Sequence, residues 1–383
     1  DFQAQGQYSV GSEYAGVPAV QNTRLTNQDL QWERSTTFDV GLDLGAYNDR
    51  ITLIADYYRR LTDNLLTGFQ LPRSTGFTSI LTNLGALRNT GVELELGADI
   101  IQSEDFMWNA TLNAAWNRNE IVELPENQNE NNRIGGIQVY DPESGEYVWV
   151  GGLQEGRPLG NMYAYNHLGV YTTEEQLADA PRDQLIPGED KTKRLGDAIF
   201  EDVDGNGVID PRDRVYAGNV YPDWTGGFSS LLQYKNVSLR VRADFATGHT
   251  IRNHTLATLN GQFQGDINIS KEVLDSWQEP GDQTNIPRYY WADQLAHNNM
   301  FRGTTYYYED GDYLAIREIT LSYDLPARWT SPLGLSRSNI YATGSNLGYI
   351  TEYKGLLPEE GGFDDGRYPA PRSFTMGVKI TLK

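Results

Sequence analysis

The segment DVDGNGVIDPRD, residues 202–213, has the residue types and spacing of a calcium-binding loop. Calcium prefers several oxygen ligands, and a short loop supplies them from alternate positions when a central glycine, here Gly207, lets the chain bend sharply. The predicted ligands are side-chain oxygens and the main-chain carbonyl of Val208: Asp202, Asp204, Asn206, Val208, Asp210 and Asp213. Asp210 would act directly or through water. Asp213 takes the last position, where a bidentate Glu is usual.

The same residues are also typical of an acidic turn without metal, because Asp, Asn and Gly dominate turns for local reasons. Ile199 and Phe200 precede the loop and Pro211 lies inside it, whereas helices flank the loop of a calcium sensor. Calcium is therefore the candidate cofactor, and we expect it to stiffen a loop rather than to open a pair of helices.

Aromatic side chains in a second segment are the candidates for substrate binding. Tyr289, Tyr290 and Trp291 follow one another, and Tyr307 lies in a later aromatic cluster before a predicted strand. Aromatic faces beside amide groups suit sugars or peptide side chains. Packing against a partner, or a place in an interfacial aromatic girdle, is the alternative for these residues.

No arrangement of residues predicts catalysis. The four histidines lack metal-like spacing. The adjacent acids Glu359 and Glu360, like Asp364 and Asp365, alternate in direction along an extended chain, so neither pair can flank a substrate. Motifs of nucleophile elbows, zinc peptidases and dinucleotide sites are absent from the sequence. We expect that the protein is not an enzyme.

The composition narrows the class of protein further. The net charge is −21 over 383 residues, which repels phosphate backbones, so no nucleic-acid partner is expected. The chain has no Cys, which excludes disulfides and thiolate metal sites. No apolar run reaches the roughly 20 residues of a transmembrane helix, and residues 1–10 lack the pattern of a signal peptide.

Apolar residues alternate with polar ones through most of the chain, which predicts β-strands with one apolar and one polar face. In residues 106–117, Trp108, Leu112 and Trp116 share the apolar face. The strands run about ten residues, the length that a tilted strand needs to cross a membrane. Charged residues on the polar face favour a water-filled or plugged lumen over a dry sandwich. They are Asp39, Asp43, Glu93, Glu95, Arg240, Arg242 and Asp244.

Aromatic residues near the strand ends suit interfacial girdles. They are Trp32, Tyr57, Tyr58, Trp108, Trp116, Tyr234, Tyr313 and Tyr323. The sequence therefore predicts an all-β fold, an antiparallel transmembrane β-barrel wall of about eleven strands with short turns at one end and long loops at the other. A half-exposed soluble sheet with aromatic cross-strand pairs is the alternative.

The long loops have predicted structure of their own. Residues 171–223 form one such loop, with a short helix capped by Thr172 and Glu175 and followed by the calcium-like segment. In SKEVLDSWQEPGD, Val273, Leu274 and Trp277 are expected to lie on one helical stripe. We interpret these pieces as small folded parts of loops rather than as further domains.

Several segments, in order from about Leu30 onward, resemble the barrel of SusC/RagA-type TonB-dependent outer-membrane transporters. They are LQWERSTTFDVGLDLG, ADYYRRLTDNLL, NLGALRNTGVELEL, DVDGNGVIDPRDRVYAGNVYPDWTGGF, SWQEPGDQTNIPR, YLAIREITLSYDLP, GSNLGYITEYKGLLPEEGG and RYPAPRSFTMGVKITL. The resemblance implies that residues 1–383 are the C-terminal portion of such a β-barrel, with no plug domain visible, and supply about eleven strands of an implied 22-stranded barrel. Open edges in lipid would leave backbone groups unsatisfied, so we expect a longer protein or completion by another chain.

The resemblance also implies a location and a function. The location is the outer membrane of a Gram-negative bacterium, and the function is TonB-dependent active import of glycan oligomers or oligopeptides as nutrients. The implied partners are a SusD-like surface lipoprotein that acts as a lid, TonB through an N-terminal part, an oligosaccharide or peptide ligand, and outer-membrane lipid. An extracellular glycan-binding or adhesin β protein with a calcium-stapled loop, and a passive porin, are the alternatives.

Overall fold

The computed structural model describes most of the chain: residues 7–14, 16–70, 77, 79–83, 85–260 and 268–382. Strands dominate it. In chain order they are β1 (Gln7–Tyr14), β2 (Val17–Arg24), β3 (Arg34–Ala46), β4 (Ile51–Asp63), β5 (Leu66–Gln70), β6 (Ser79–Asn83), β7 (Ala86–Gln102), β8 (Phe106–Glu123), β9 (Ile137–Asp141), β10 (Glu146–Val150), β11 (Asn161–Tyr165), β12 (His167–Val170), β13 (Arg182–Asp183), β14 (Ala198–Phe200), β15 (Val208–Ile209), β16 (Arg214–Asn219), β17 (Trp224–Tyr234), β18 (Val237–Thr247), β19 (Thr250–Asn253), β20 (Tyr308–Asp310), β21 (Tyr313–Asp324), β22 (Leu335–Thr351), β23 (Gly362–Asp364) and β24 (Ser373–Leu382).

The helices of the described residues are short. They are α1 (Glu174–Ala178), α2 (His254–Leu259) and α3 (Ala327–Thr330), with single 3-10 turns at Glu130–Asn132, Lys271–Asp275, Asp293–Leu295, Thr305–Tyr307 and Ser331–Leu333. No helix in this part of the chain is both long enough and apolar enough to cross a membrane.

Nine of the described strands form one antiparallel sheet, which we call the wall. Its spatial order is β24-β22-β21-β18-β17-β8-β7-β4-β3, so nearly every strand pairs with its neighbour in the chain once the loop strands are set aside. The sequence predicts about eleven strands; nine lie in the wall, and β1 and β2 form a separate antiparallel pair. The longest wall strands are β8 with 18 residues and β7 and β22 with 17 each, more than the predicted ten.

The register confirms the predicted alternation of faces. Leu112 of β8 lies between Leu96 of β7 and Phe228 of β17, whereas Asn113 lies between Glu95 and Gly227. Directly paired residues of adjacent strands point to the same side of a sheet, so the wall has an apolar face and a polar face. All seven predicted charged residues lie on the polar face.

The apolar face is open rather than packed against a second layer. Leu44 is 50% exposed, Leu96 44% and Met376 87%. Burial of apolar surface is worth roughly 25 cal/mol per Å². A sheet that leaves a whole face of such side chains uncovered therefore needs apolar surroundings, as a membrane provides.

Aromatic residues form two rows across the apolar face. Tyr57, Trp116 and Trp224 lie near the long loops, and Phe106 and Tyr234 pair near the short turns. Phe106 and Trp116 are ten residues apart on β8. At about 3.3 Å per residue and a tilt of about 40°, the rows are about 25 Å apart, the height of the apolar band of a membrane barrel.

Two aromatic assignments from the sequence are wrong. Tyr58 pairs with Asp39 and Gly91, and Tyr313 pairs with Ala246, so both lie on the polar face. The reason is the period of two: the tandem pair Tyr57–Tyr58 necessarily divides between the faces. Tyr58 needs a glycine beside it, because a Cβ at Gly91 would lie 2.5 Å from the Tyr58 Cζ atom.

All short connections lie at one end of the wall and all long ones at the other. Residues 64–85 connect β4 to β7 at the long-loop end, and the other three long connections, residues 124–223, 248–312 and 352–372, form what we call the loop layer. Strand β19 pairs in parallel with β23, and an isolated bridge joins Tyr165 to Thr304, so the three loops are linked by main-chain hydrogen bonds. The layer has a small core of its own: Tyr165, Ala198, Phe200 and Ile209.

Two local predictions in the loop layer need correction. Helix α1 exists, but its capping box joins Thr173 to Gln176 rather than Thr172 to Glu175. Residues 271–275 form a 3-10 turn instead of an amphipathic α-helix. Val273 and Trp277 are buried there, but Leu274 is 80% exposed, because a turn with three residues per repeat places it on a different side.

Candidate functional site

The polar face of the wall carries a dense row of acids. Asp56 on β4 lies directly opposite Glu93 on β7, Glu95 lies two residues farther along β7, and Asp244 lies in line with Glu95 on β18, three strands away. A cavity of about 660 Å³ opens against these residues. Like charges directly opposite one another in a sheet are destabilising unless water or a cation solvates them. This face can therefore line an aqueous path that attracts cationic groups.

Arg317 connects the wall to the loop layer. It lies at a bulge of β21, where the register shifts between Ile316 and Glu318. Its guanidinium binds the Asp244 carboxylate on the wall and, at 2.7 Å, the Glu359 carboxylate in the loop layer. A bulge re-aims a side chain in this way, and here it ties residues 352–372 to the lumen side of the wall.

The calcium-like segment folds into a tight loop in the layer. Carboxylate oxygens of Asp202, Asp204 and Asp213 lie within 4.8 Å of one another. Asp202 accepts hydrogen bonds from the amides of Asn206 and Gly207, at 3.2 and 2.7 Å, and Asp204 accepts from the Asn206 amide at 3.1 Å. The bend therefore brings the acids of the first, third and last positions together, as an oxygen-ligated cation would require.

Two further candidate ligands of this loop are the main-chain carbonyl of Val208 and the side-chain oxygen of Asn206. The amides of Arg182 and Gln184 donate to the carbonyls of Gly207 and Ile209, on either side of Val208. Carbonyls alternate along a strand, so the Val208 carbonyl points away from this ladder. The Asn206 side chain donates its amide to Asp204 at 2.8 Å, which leaves its oxygen as the group that would face a cation.

Asp210 lies outside the carboxylate cluster. Both of its oxygens bind Arg212, whose guanidinium lies 4.8 Å from the centre of the Tyr147 ring. Tyr147, on β10, donates its hydroxyl to Asp204 at 2.5 Å. Tyr147 and Arg212 thus hold the hairpin β9–β10 against the loop, and Arg212 already binds the carboxylate of Asp210.

Asp213 is the most perturbed acid of the cluster. Burial, together with the charges of Asp204 and Asp210, raises the pKa of its carboxyl to about 6, although it accepts the amides of Val203 and Asp210. A cation at the cluster would oppose this shift because it favours the ionised form.

A buried ionic network, which the sequence analysis missed, lies next to this loop. Asp183 is fully buried, and its carboxylate binds Lys193 at 2.6 Å and Arg302 at 2.8 Å. The Arg302 guanidinium also lies 4.4 Å from the centre of the Phe200 ring. Burial raises the pKa of Asp183, but the two cations outweigh it and hold that pKa below its usual value.

A second buried carboxylate, Asp197, joins the same loops. It binds His297 Nδ1 at 2.9 Å and the amide group of Asn299 at 3.0 Å. Asn299 in turn accepts the Ala198 amide at 3.0 Å. These contacts join residues about 100 positions apart. Local spacing gives no signal for such pairs, and only an excess of charged residues in a predicted loop could have pointed to them.

The predicted substrate-binding residues have different surroundings. Trp291 is 71% exposed and Tyr289 40% exposed. Tyr290 stacks on His297 with ring centres 4.5 Å apart. Tyr307 is fully buried beside Ala257 and Met300, so a substrate has no access to it, and the prediction for this residue is at odds with the structure. The three consecutive residues remain candidates.

The comparisons with known proteins agree with this architecture. Residues 2–183 match a family model described as TonB dependent receptor-like, beta-barrel. TonB-dependent receptor P3 of Formosa agariphila is 31% identical over 95% of this chain and 36% of its own length. TonB-dependent receptor SusC of Bacteroides thetaiotaomicron is 30% identical over 99% of this chain and 36% of its own length.

A solved structure shows the same fold. The structure described as that of the RagAB peptide transporter has a TM-score of 0.73 with this chain and 23% sequence identity, and the match covers 99% of this chain and 38% of that one. The chain thus spans little more than a third of the length of these relatives. Proteins of the family are transporters and not enzymes, which confirms that prediction. Over nearly its whole length the chain is thus similar to the β-barrel of the TonB-dependent receptors, which are outer-membrane proteins.

Proposed function

We propose that the chain is part of an active importer, driven through TonB by an N-terminal part of the protein, for oligopeptides or glycan oligomers. The wall supports this proposal: an apolar face with aromatic rows about 25 Å apart backs a polar face that is lined by acids and bordered by a cavity. A conduit for polar cargo through a membrane needs both faces on the same strands.

The loop layer is the mouth of the conduit in this proposal, and it faces the outside of the cell. A SusD-like surface lipoprotein covers it as a lid. Exposed apolar side chains in residues 268–301 suit such a partner, because surface-exposed groups of this kind mark interaction sites when they occur together. Leu274, Trp291 and Leu295 are 80%, 71% and 74% exposed.

Between the two cargo classes, the acids of the wall favour oligopeptides that carry basic residues. Rings of Asp and Glu select cations in pores, and Asp56, Glu93, Glu95 and Asp244 border the cavity. Tyr289, Tyr290 and Trp291 would contact cargo at the mouth, where aromatic faces suit peptide side chains and sugars alike.

Uptake of labelled peptides and oligosaccharides by cells that produce the full-length protein tests the proposal. We expect uptake that stops when the proton gradient is dissipated, and a lower rate with Trp291→Ala. Trp329→Ala is the matched control, because Trp329 is 53% exposed at the short-turn end. Uptake that persists without the gradient would indicate a passive porin, and a full-length protein that is soluble without detergent would indicate an extracellular binding protein.

We propose separately that calcium occupies the loop of residues 202–213. The carboxylate cluster of Asp202, Asp204 and Asp213 supports this. The ligands would be Asp202, Asp204, Asn206, the Val208 carbonyl and Asp213, with Asp210 acting through water. Calcium should slow proteolysis of this loop in the full-length protein and a chelator should accelerate it. Equal cleavage rates with calcium and with chelator would contradict the assignment.

A further inference from the structure

Two arginines stand on the apolar face of the wall, where side chains meet lipid. Arg59 of β4 and Arg118 of β8 both pair with Thr90 of β7, one from each side. Strands are about 4.8 Å apart, so the two Cα atoms are separated by about 10 Å, with the Thr90 hydroxyl between them. Both side chains are exposed.

The nearby aromatic residues indicate how deep Arg59, Thr90 and Arg118 lie in the membrane. Tyr57 and Trp116 lie on the same strands two residues nearer the membrane centre. Aromatic rows mark the boundary between hydrocarbon and headgroups. A step of two residues is about 6–7 Å, which puts the guanidinium groups at the level of the headgroups.

Neither guanidinium is neutralised within the part of the chain that the structure describes. The nearest acid on this face is Glu120 in the next row, and Arg88 binds it at 2.5 Å. Between the two aromatic rows, the apolar face of the described strands has no charged side chain at all. Both cations are therefore available to an anion from outside the described residues, although the chain as a whole has a net charge of −21.

We propose that Arg59 and Arg118, with the hydroxyl of Thr90, form a binding site for the phosphate of a lipid headgroup. Guanidinium groups bind phosphate oxygens with two hydrogen bonds each, and side chains on neighbouring strands can converge on one phosphate. The acyl chains of the same lipid would then lie along Val92, Leu94 and Leu96 below Thr90, which are on the same face. The loop layer lies at this end of the wall, so the lipid belongs to the outer leaflet under the proposed orientation.

Native mass spectrometry of the full-length protein from phosphatidylcholine nanodiscs, titrated with diphosphoryl lipid A, tests the site. Basic residues at a membrane surface contribute about 1 kcal/mol each, which is about fivefold in affinity. We expect about fivefold weaker binding with Arg59→Gln or Arg118→Gln and about 25-fold weaker binding with both changes. Binding should also weaken as salt increases.

Arg60→Gln is the matched control. Arg60 lies at the same height on β4 but on the polar face, where it pairs with Thr37 and Asn89, so its loss should leave lipid A binding unchanged. An equal loss with Arg60→Gln, or full binding by the double variant, would overturn the proposal. Inorganic phosphate that binds the detergent-solubilised protein as tightly as lipid A does would overturn the assignment to a lipid.

Discussion

At Asp183, two cations from distant parts of the chain share one carboxylate. Lys193 follows ten residues later in the same loop, and Arg302 comes from the next long loop. All three side chains are almost completely buried. Replacement of a whole buried ion pair by apolar residues raises stability in some proteins and lowers it in others. Removal of one partner, by contrast, leaves an uncompensated buried charge and destabilises the protein.

Asp183→Asn should therefore destabilise the loop layer by about 3–5 kcal/mol. Hydrogen exchange of the full-length protein should show faster exchange in residues 171–223 and unchanged exchange in the wall. The control is Asp190→Asn, which removes an ion pair to Arg194 between two exposed side chains; such pairs contribute little. Equal effects of the two changes would show that the network does not hold the loops together.

The raised pKa of Asp213 predicts how calcium binding depends on pH. Its pKa is raised to about 6 in the folded protein, above about 4 in an unfolded chain, so without metal the folded state holds the extra proton. Loop stability without metal should then fall as the pH rises from about 4 to about 6.

Calcium binds the ionised form, so its affinity should fall as the pH drops below about 6 and level off above it. Calcium titrations of the full-length protein at pH 5, 6 and 7 measure this, and Asp213→Asn should both weaken binding and remove the pH dependence. An affinity that stays constant across this range would exclude Asp213 as a ligand.

The residue scale also shows the limit of what sequence could predict. The spacing of Asp202, Asp204 and Asp213 is local, and the structure brings these acids together. Asp210 satisfied the same pattern, yet Arg212, two residues away, binds its carboxylate. Tyr307 is a candidate because it lies in an aromatic cluster before a predicted strand, yet its side chain is buried. A pattern of ligand types is visible in sequence, but competition for each side chain depends on neighbours that only the fold supplies.

At the scale of elements, the period of two determined the wall. Alternation assigned Leu112 and Asn113 to opposite faces, and the register confirms it. Neither the lengths of β7 and β8 nor the bulge that turns Arg317 toward Asp244 could be predicted, because both depend on contacts with the loop layer. The cap of α1 lies one residue later than predicted, and residues 271–275 form a 3-10 turn instead of the predicted α-helix. Segments this short have weak intrinsic preferences, so the surrounding packing decides their conformation.

The two faces predict opposite responses to the same substitution. Leu96→Arg puts a charge near the middle of the apolar band and should destabilise the barrel by about 2–4 kcal/mol. Glu95→Arg, one residue away, faces the polar side and should leave stability nearly unchanged while it alters cargo selectivity. Urea unfolding of the full-length protein in lipid vesicles, followed by tryptophan fluorescence, compares the two variants. Similar losses would mean that the apolar face is not in contact with lipid.

At the scale of the whole molecule, the two edge strands of the wall place the strongest constraint on the architecture of the complete protein. Among the described strands, β3 and β24 each have one neighbour. Unpaired backbone groups in hydrocarbon cost several kcal/mol each, so the complete protein needs further strands at both edges, in keeping with relatives that are almost three times as long.

Hydrogen exchange of the complete protein tests this requirement. Amides of β3 and β24 that point away from β4 and β22 should exchange as slowly as those of β7, which has neighbours on both sides. Fast exchange restricted to these outward amides would show that the edges stay open. Strand β7, which is paired on both sides, provides the internal standard in the same experiment.

The parallel pairing of β19 with β23, and the bridge from Tyr165 to Thr304, have a consequence for how such a protein can diversify. Loops that share main-chain hydrogen bonds cannot be lengthened, shortened or exchanged one at a time, because each change removes support from another loop. Variation under pressure from phages or antibodies should therefore appear as substitutions at exposed tips such as Trp291 and Leu295, with loop lengths conserved. For the same reason, an engineer who wants a new cargo would transplant all three loops as one unit.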